Sequence, residues 1–192
     1  MSCWSCGAPA DGDVFCAQCG ALQPPRSRDP FSTLGLEPRV EVERAAIDKA
    51  FRTRSKDVHP DKHGRKSDTE RRHAVQHTTL VNEAYQTLKT PAGRVRALLA
   101  MRGVDITADG ARTSDPQLLL EMMTLREKMD TADASALLSL DVELKDAVRS
   151  AVAAATDYFD RDQGDLEDAV VAMERIRYLE RLREQLAARL DE

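Results

Sequence analysis

Apolar side chains recur at helical spacing in the stretch that follows residue 40. A first stripe repeats at steps of three and four residues, as expected for one face of a helix of about five turns. Its members are Val42, Ala46, Ile47, Ala50, Phe51 and Val58. Pro60 ends this helix, because the residue before a proline is driven out of the helical region. Residues 59–67 are dense in charge and contain Gly64, which predicts a loop.

A second stripe predicts a partner helix. Ser67 or Asp68 can cap its start, and Pro91 closes it. One face of this helix carries Ala74, Leu80, Val81, Ala84, Tyr85 and Leu88. We therefore expect an antiparallel hairpin around the charged loop. Three upstream residues are available as a small lid: Phe31, Leu34 and Leu36.

Helical periodicity continues towards the end of the chain. A short helix is predicted over residues 94–101, ended by Gly103, and residues 105–114 form a turn-rich connector. Three longer patterns follow, over residues 116–130, 134–160 and 165–190. Short connections favour antiparallel neighbours, so these patterns predict a three-helix bundle. The core of its last helix is expected to be Leu166, Ala169, Met173, Ile176, Leu179, Leu182, Leu186 and Leu190.

Composition agrees with an all-α fold. Of the 192 residues, 42% are hydrophobic but only 4% are aromatic, which suits helices rich in alanine and leucine better than a β-sandwich. The predicted division is a tetracysteine module over residues 1–20, a polar linker over 21–28, a hairpin domain over 29–92, a connecting helix and loop over 93–114 and the bundle over 115–192. No apolar run reaches the roughly 18–20 residues that a bilayer requires. With neither a membrane segment nor a basic and apolar leader, a cytoplasmic protein is expected.

Charge is distributed unevenly. The net charge of −5 argues against a nucleic-acid-binding protein. Residues 44–66 nevertheless carry eight Lys or Arg against three Asp, a balance of +5. Residues 115–192 carry ten Lys or Arg against nineteen Asp or Glu, a balance of −9. We interpret the basic stretch as a docking face for an acidic protein surface, with a solvated helix face as the alternative.

The four cysteines form two pairs of Cys-x-x-Cys spacing. Cys3 and Cys6 make the first pair and Cys16 and Cys19 the second, so all four thiolates can reach one tetrahedral metal ion. A segment with so little core needs such an ion to fold. We predict one structural metal ion, zinc, in a zinc-ribbon-like module, with iron in the same cage as the main rival. The alternatives are two disulfides or four free thiols, and a cytosolic location disfavours the disulfides.

A His-Pro-Asp tripeptide lies at the tip of the hairpin, at His59, Pro60 and Asp61. Together with the basic helix before it, the partner helix ending in the residues Asn-Glu-Ala-Tyr-Gln-Thr-Leu and the preceding Phe-Ser-Thr-Leu-Gly-Leu, the hairpin resembles a J domain. Without this resemblance, His59 would be interpreted as an exposed loop histidine, or as a general base that lacks a nearby nucleophile. His73 and His77 are spaced for a metal site, but without a third ligand an exposed and a partly buried helix histidine are expected.

The resemblance to J domains implies a chaperone partner. His59, Pro60 and Asp61 would contact a DnaK/HscA-type chaperone and stimulate its ATP hydrolysis. Asp61 offers a carboxylate to an arginine fork on that partner. Five basic residues would steer the hairpin towards an acidic surface: Lys49, Arg52, Arg54, Lys56 and Lys62.

The helix predicted over residues 116–130 has more apolar surface than one stripe requires. Leu118, Met122, Leu125 and Met129 make a complete core stripe, which leaves other apolar residues on an adjacent face. Those residues are Leu119, Leu120 and Met123. Such a surplus indicates an interface, since Met and Leu adapt well to partners. A broader core stripe that packs against two neighbours is the alternative.

The C-terminal pattern is similar to that of the HscB family, J-type co-chaperones of iron–sulfur cluster biogenesis. The similarity rests on Leu-Leu-Leu-Glu and Leu-Arg-Glu in the first helix, and on Arg-Ile-Arg-Tyr-Leu-Glu-Arg-Leu in the last. It implies that the bundle binds the cluster scaffold protein IscU. The implied scaffold contacts are Leu119, Leu120, Met123, Thr124, Glu127 and Tyr178, with Tyr178 expected to join the exposed face.

The sequence therefore predicts an adaptor without enzymatic activity of its own. One end would activate an ATPase chaperone, and the other would hold an iron–sulfur scaffold. A J protein that serves another client is the nearest alternative, and a homodimer is retained as a possible assembly. A zinc-ribbon nucleic-acid binder that uses the basic helix is the alternative from another class, and its affinity would depend steeply on salt.

Overall fold

The computed structural model describes residues 2–10, 14–104 and 115–190, and it is helical over most of these ranges. The helices are α1 (Pro30–Leu34), α2 (Arg44–Val58), α3 (Pro60–His63), α4 (Asp68–Leu88), α5 (Pro91–Met101), α6 (Pro116–Thr131), α7 (Ala134–Arg161) and α8 (Leu166–Leu190). The only β-type pairings among the described residues are two isolated bridges, Ser2 with Pro9 and Phe15 with Leu22. The all-α prediction is confirmed. None of the helices found in the described residues is long and apolar enough to cross a membrane.

The chain divides into two compact units. The first contains the residues up to 38 together with residues 42–89, and the second contains residues 39–41 together with everything from Thr90 onwards. Each unit is therefore discontinuous in sequence, because residues 39–41 interrupt the first unit and belong to the second. The tetracysteine module belongs to the first unit, and α5 belongs to the second.

The first unit is built on the α2–α4 hairpin. Arg44 at the start of α2 donates a hydrogen bond to the hydroxyl of Tyr85 near the end of α4, so the two helices run antiparallel. Asp29 caps α1, and the Ser67 hydroxyl accepts the Glu70 N–H at the start of α4. The buried side chains between these helices include Phe31, Leu34, Ile47, Val58, Ala74, Val81, Ala84 and Leu88.

Two details of the hairpin differ from the sequence prediction. Residues 59–67, expected to be a loop, contain the four-residue helix α3. Pro60 occupies its first position, where the fixed φ of proline favours a helical start, and His59 Nδ1 accepts the Asp61 N–H. Ala46, assigned to the apolar stripe of α2, is exposed.

The linker of residues 21–28 is also less solvated than its polar composition indicated. Ala21, Leu22 and Gln23 are buried, with Leu22 and Gln23 almost fully so. These three residues pack within the first unit, so only the second half of the segment has the exposed character expected of a linker.

The second unit is centred on the pair α7 and α8, against which α5 and α6 pack. One cluster of buried side chains in this unit consists of Leu125, Met129, Leu137, Leu140, Leu144, Leu179, Leu182 and Leu186. The predicted core of the last helix is confirmed except at its ends, where Leu166 and Leu190 are exposed. Periodicity identifies the face of a helix that packs but not how far along that face its neighbours reach, so it overestimates the length of the buried stripe.

Residues 39–41 are fixed to the second unit by backbone hydrogen bonds. One carboxylate oxygen of Asp160 in α7 accepts the N–H of Val40 at 3.0 Å, and the other accepts that of Glu41 at 3.1 Å. Arg94 of α5 donates from Nε to the carbonyl oxygen of Val40 at 2.7 Å. Two N–H groups and one carbonyl oxygen of this short segment are thus paired with residues far away in the sequence.

Candidate functional site

The tetracysteine module brings its four sulfur atoms together. All four Sγ atoms lie within 4.8 Å of one another, with Cys3 and Cys19 at 3.7 Å and Cys6 and Cys16 at 3.8 Å. A disulfide requires sulfur atoms about 2.05 Å apart, so these cysteines are free thiols and not disulfides. In a tetrahedral site with zinc–sulfur bonds of about 2.3 Å, neighbouring sulfurs lie about 3.8 Å apart. The donor set therefore fits a tetrahedral metal ion.

Each cysteine pair lies on a tight turn that ends in glycine. The Gly7 N–H donates to the Cys3 carbonyl oxygen, and the Gly20 N–H donates to that of Cys16. Both glycines have positive φ, +75° and +69°, where residues with a side chain are strained. The two turns are equivalent, which explains why both pairs can aim their thiols at one point.

The electrostatics of the sulfur cluster favour a bound cation. Backbone N–H groups, first that of Cys6 and also that of Ser5, lower the pKa of Cys3 to about 6 against the opposing effect of burial. The Gln23 side-chain amide donates a further hydrogen bond to Cys3 Sγ at 3.3 Å. The pKa of Cys6 is raised to about 11, because the Ala8 backbone donor that lowers it is outweighed by the neighbouring thiols, Cys19 foremost, and by desolvation. Four thiolates this close repel one another, and a metal ion removes that repulsion.

The residues after the module bind it to α4. His73 Nδ1 lies 3.1 Å from the carbonyl oxygen of Leu22, and His77 Nε2 lies 2.9 Å from that of Gln23. The Leu22 N–H donates to the Glu70 carboxylate at 3.4 Å. The Trp4 ring packs edge-on against His73, with ring centroids 5.7 Å apart. The module is therefore held to the hairpin by polar and aromatic contacts.

These contacts also account for the two helix histidines. The four cysteines are the only group with metal-site geometry in the described ranges, and His73 and His77 lie outside it. His77 is buried and His73 is half-buried, so the expectation of one exposed histidine is wrong. Burial lowers the pKa of His77 more than its hydrogen bond to the Gln23 carbonyl oxygen raises it, and the nearby charge of Arg54 also lowers it.

The His-Pro-Asp segment presents its polar side chains to solvent at the tip of the hairpin. The Asp61 side chain is 92% exposed and that of His59 is 55% exposed. His59 Nδ1 lies 3.6 Å from Asp61 Oδ2, so the imidazole and the carboxylate lie side by side. Since α3 begins at Pro60, the carboxylate of Asp61 lies in the first turn of a short helix. The segment is a rigid corner that displays a carboxylate and an imidazole together.

Four of the five basic residues singled out in the sequence are exposed. They are Lys49, Arg52, Lys56 and Lys62. Arg54 is half-buried, and a Cβ on Gly35 would lie only 2.9 Å from its Nη2, so the guanidinium packs against the end of α1. Arg54 therefore has an internal packing role that the sequence did not indicate, while the other four form an exposed basic face.

The surplus apolar residues of α6 are exposed as predicted. Leu119 is 45% exposed, Leu120 66% and Met123 70%. Leu118, Leu125 and Met129 of the opposite face are buried, and Met122 is half-buried. Thr124 and Glu127 lie exposed on the same helix, and the Thr124 hydroxyl donates to the Leu120 carbonyl oxygen. We call Leu119, Leu120 and Met123 the α6 apolar face.

Tyr178 differs from its prediction. Its ring is partly buried against the core of the second unit, and its hydroxyl donates to the carbonyl oxygen of Met122 at 2.7 Å. Burial raises the pKa of this phenol. Tyr178 therefore joins α8 to α6 directly behind the α6 apolar face and is not itself an exposed part of it.

Sequence reasoning missed several residues that organise the first unit. His63 is buried beneath the His-Pro-Asp segment, and Gln23 is buried against the sulfur cluster. Glu70, also buried, accepts the Leu22 N–H. A polar residue at a buried position leaves no periodic signal, and only the unusual density of histidines between residues 59 and 77 could have pointed to this region.

Comparisons with known proteins match both halves of the chain. Residues 29–96 match the DnaJ domain family, and residues 114–187 match the family described as the HSCB C-terminal oligomerisation domain. The iron-sulfur cluster co-chaperone protein HscB of Mus musculus is 32% identical over 96% of this chain and 80% of its own length. The co-chaperone protein HscB homolog of Bordetella petrii is 34% identical over 83% of this chain and 95% of its own. The crystal structure of human co-chaperone protein HscB superposes with a TM-score of 0.86 at 30% identity, covering 98% of both chains.

Proposed function

The chain belongs to the HscB family of co-chaperones, and from this membership we propose that it acts in iron–sulfur cluster assembly as an adaptor between two proteins. Its J domain stimulates the ATPase of a DnaK/HscA-type chaperone. Its C-terminal helices hold an IscU-type scaffold and present it to that chaperone. The observation that carries the proposal is the pairing of an exposed His-Pro-Asp corner in one unit with an exposed apolar helix face in the other.

The chaperone end works through charge and shape. The exposed carboxylate of Asp61 can accept a bidentate pair of hydrogen bonds from an arginine of the chaperone. Pro60 holds the corner rigid, and the imidazole of His59 stands beside the carboxylate. Lys49, Arg52, Lys56 and Lys62 attract an acidic surface and accelerate encounter, an effect that weakens with salt.

The scaffold end works through apolar contact. Leu119, Leu120 and Met123 offer flexible aliphatic surface that becomes favourable when a partner removes it from water. Glu127 and Thr124 add polar contacts at the edge of this face, and Tyr178 holds α6 in place from behind through its bond to Met122. A second candidate use of the same face is self-association, as the name of the matched C-terminal family indicates for its members.

The chaperone end is tested with His59→Gln in a steady-state ATPase assay of a DnaK/HscA-type chaperone. We expect stimulation to be lost while scaffold affinity and the circular dichroism spectrum stay unchanged. His73→Gln is the matched control, because it makes the same substitution in the same unit outside the corner. Full stimulation by His59→Gln would contradict the proposed role of the corner.

The scaffold end is tested with the double substitution Leu119→Ala and Met123→Ala. We expect at least a tenfold loss of affinity for an IscU-type scaffold with little change in melting temperature, because both side chains are exposed. Leu138→Ala with Val142→Ala is the matched control, since these residues form an equally exposed apolar pair on α7. Unchanged scaffold affinity together with a dimer that dissociates in the double variant would assign the face to self-association.

The two ends are tested together by adding scaffold to the ATPase assay. Stimulation that rises sharply when the scaffold is present is expected for an adaptor. Stimulation that ignores the scaffold would retain the J-domain function and assign the chain to another client.

The tetracysteine module is proposed to hold a structural zinc ion. Cys3, Cys6, Cys16 and Cys19 supply all four ligands, so the ion would close the fold of the module and leave no open coordination position. Elemental analysis of the purified protein distinguishes zinc from iron, and one equivalent of zinc is expected. The cytoplasm is the proposed location, since its reducing conditions keep four such thiols available for metal.

A further inference from the structure

One aromatic ring of the tetracysteine module packs against the last residue of α3, the short helix that begins at Pro60 of the His-Pro-Asp segment. The ring of Phe15 stacks on the imidazole of His63, with centroids 6.2 Å apart and planes 17° from parallel. Phe15 is held from both sides. Its neighbour Cys16 donates to the Ala21 carbonyl oxygen, and the carbonyl oxygen of Val14 accepts the Gln23 N–H. The position of this ring is therefore set by the fold of the module.

His63 in turn links α3 to the end of α2, on either side of the His-Pro-Asp segment. It is the last residue of α3 and is only 6% exposed. Its Nε2 lies 3.3 Å from the carbonyl oxygen of Asp57, in the last turn of α2. A carbonyl oxygen can only accept, so Nε2 carries the proton and donates. This bond spans His59, Pro60 and Asp61, and it fixes the angle at which α3 leaves α2.

The other ring nitrogen shows how closely His63 is covered. Nδ1 is buried and has no hydrogen-bond partner among the described residues. A buried imidazole with only one hydrogen bond depends on packing to stay in place. The ring of Phe15 packs against one face of it. Removing that surface would open the imidazole to water, which competes for the Asp57 carbonyl oxygen.

We propose that Phe15 and His63 are positioning residues for the His-Pro-Asp corner, so that the metal-loaded tetracysteine module holds the chaperone-activating segment in its active shape. The module would then act as a required support of the J domain and not as a separate appendage. The functional part of this inference rests on the proposed chaperone contact, whereas the structural coupling can be measured without it.

The coupling is tested by amide hydrogen exchange on the full chain with metal bound. In Phe15→Ala, the amides of residues 61–64 are expected to exchange about fivefold faster, because an aromatic contact of this kind is lost. Amides in the middle of α4 should keep their protection. Phe15→Tyr retains the ring and should restore slow exchange. Metal content measured on each variant shows that the cysteine site is still filled.

Trp4→Ala is the matched control. It removes the other aromatic contact between the module and a histidine of the hairpin, the one at His73, and leaves Phe15 in place. Exchange at residues 61–64 should stay slow in this variant. Equal acceleration in Trp4→Ala and Phe15→Ala would overturn the assignment, since it would indicate general loosening of the module. Unchanged exchange in Phe15→Ala would overturn it as well.

Removal of the metal by a chelator gives the second measurement. In the wild type, faster exchange at residues 61–64 and reduced chaperone ATPase stimulation are expected together, and both should return when zinc is restored. In Phe15→Ala, metal removal should add little further acceleration at these amides. If exchange responds but the metal-loaded wild type does not stimulate any chaperone, the coupling stands and the proposed function fails. If stimulation is normal but exchange never responds, the coupling fails and the proposed function stands.

Discussion

The tetracysteine module and the helices of the second unit bury very different kinds of side chain. The only buried cluster that the described part of the module forms is Cys3, Ala10 and Cys16, two of which are metal ligands. The helices of the second unit enclose a cluster of leucine and methionine side chains. A fully buried leucine contributes about 1.5–3 kcal/mol, so the helices need no ion, whereas a bound metal must supply most of the stability of the module.

The contrast extends to how each region meets its neighbours. Within the second unit, α7 and α8 pack through interdigitating apolar residues. The module instead reaches α4 through hydrogen bonds from buried polar groups, among them Gln23, Glu70 and His77. Polar contacts are directional and fail abruptly, while apolar contacts tolerate small shifts. The four substitutions below act on this difference, in order of decreasing effect.

Cys16→Ser removes one of the four metal ligands and should have the largest effect. A structural zinc site in a small domain is worth on the order of 10–16 kcal/mol, so the module is expected to lose both metal and fold. The helices should persist, because their cores do not include the cysteines. When cobalt is supplied in place of zinc, the cobalt–thiolate absorption bands should be lost in the variant. The mean residue ellipticity at 222 nm should stay nearly unchanged. A collapse of the ellipticity would show that the helical cores themselves depend on the metal site.

Leu144→Ala tests the apolar region in the same way. Leu144 is fully buried within α7, and its truncation leaves a cavity. We expect the free energy of unfolding to fall by about 2–5 kcal/mol while metal content is unaffected. Leu138→Ala is the matched control on the same helix, since Leu138 is 61% exposed, and it should change stability by less than about 0.5 kcal/mol. Urea denaturation of both variants provides the measurement.

Gln23→Leu tests the hydrogen bond that supports the metal ligand Cys3. The Gln23 amide donates to Cys3 Sγ and to the Ala21 carbonyl oxygen. Loss of such a supporting donor lowers metal affinity by about 10–100-fold at similar side-chain volume. Competition with a chelator of known affinity measures the change. An affinity equal to that of the wild type would show that the backbone donors alone fix the thiolate.

His77→Gln should have the smallest effect, and it appears only as the pH falls. Burial holds the pKa of His77 below its ordinary value near 6.5, so the folded state favours the neutral ring while the unfolded chain binds a proton more readily. The stability that depends on the neutral ring is therefore intact above the unfolded pKa and is lost as the pH falls below it. The glutamine amide can still donate to the Gln23 carbonyl oxygen without titrating. The fall in unfolding free energy between pH 7.5 and pH 5.5 should be smaller in the variant than in the wild type, and an equal fall would assign the pH dependence to other groups.

The sequence predicted the parts of each region that depend on local spacing. Two Cys-x-x-Cys pairs indicate a tetrahedral cage because the geometry of each turn is set by three or four residues. Leu119, Leu120 and Met123 were left over from one helical stripe, and they are exposed. Each of these inferences needs only the residues within one or two turns of the backbone.

Contacts between distant residues could not be predicted in this way. The bond between Leu22 and Glu70 joins residues 48 positions apart, and that between Gln23 and His77 joins residues 54 apart. Neither bond carries a periodic signal, so residues 21–23 were interpreted as linker, and one of His73 and His77 was expected to be exposed and the other only partly buried. Tyr178 was placed on an exposed face for the same reason, because its contact with Met122 depends on how α8 and α6 pack.

The hydrogen bonds between Asp160 and residues 39–41 have a consequence for how the chain folds during synthesis. Val40 leaves the ribosome 120 residues before the carboxylate that receives its N–H. At a synthesis rate of about 5–20 residues per second, the segment waits roughly 6–24 seconds for its partner. The α2–α4 hairpin, whose residues lie just after the segment, can close within that interval. The second unit is complete only when α8 has been translated, and a stall before Asp160 would leave a chain with a folded hairpin in which the N–H groups of Val40 and Glu41 still lack their acceptor.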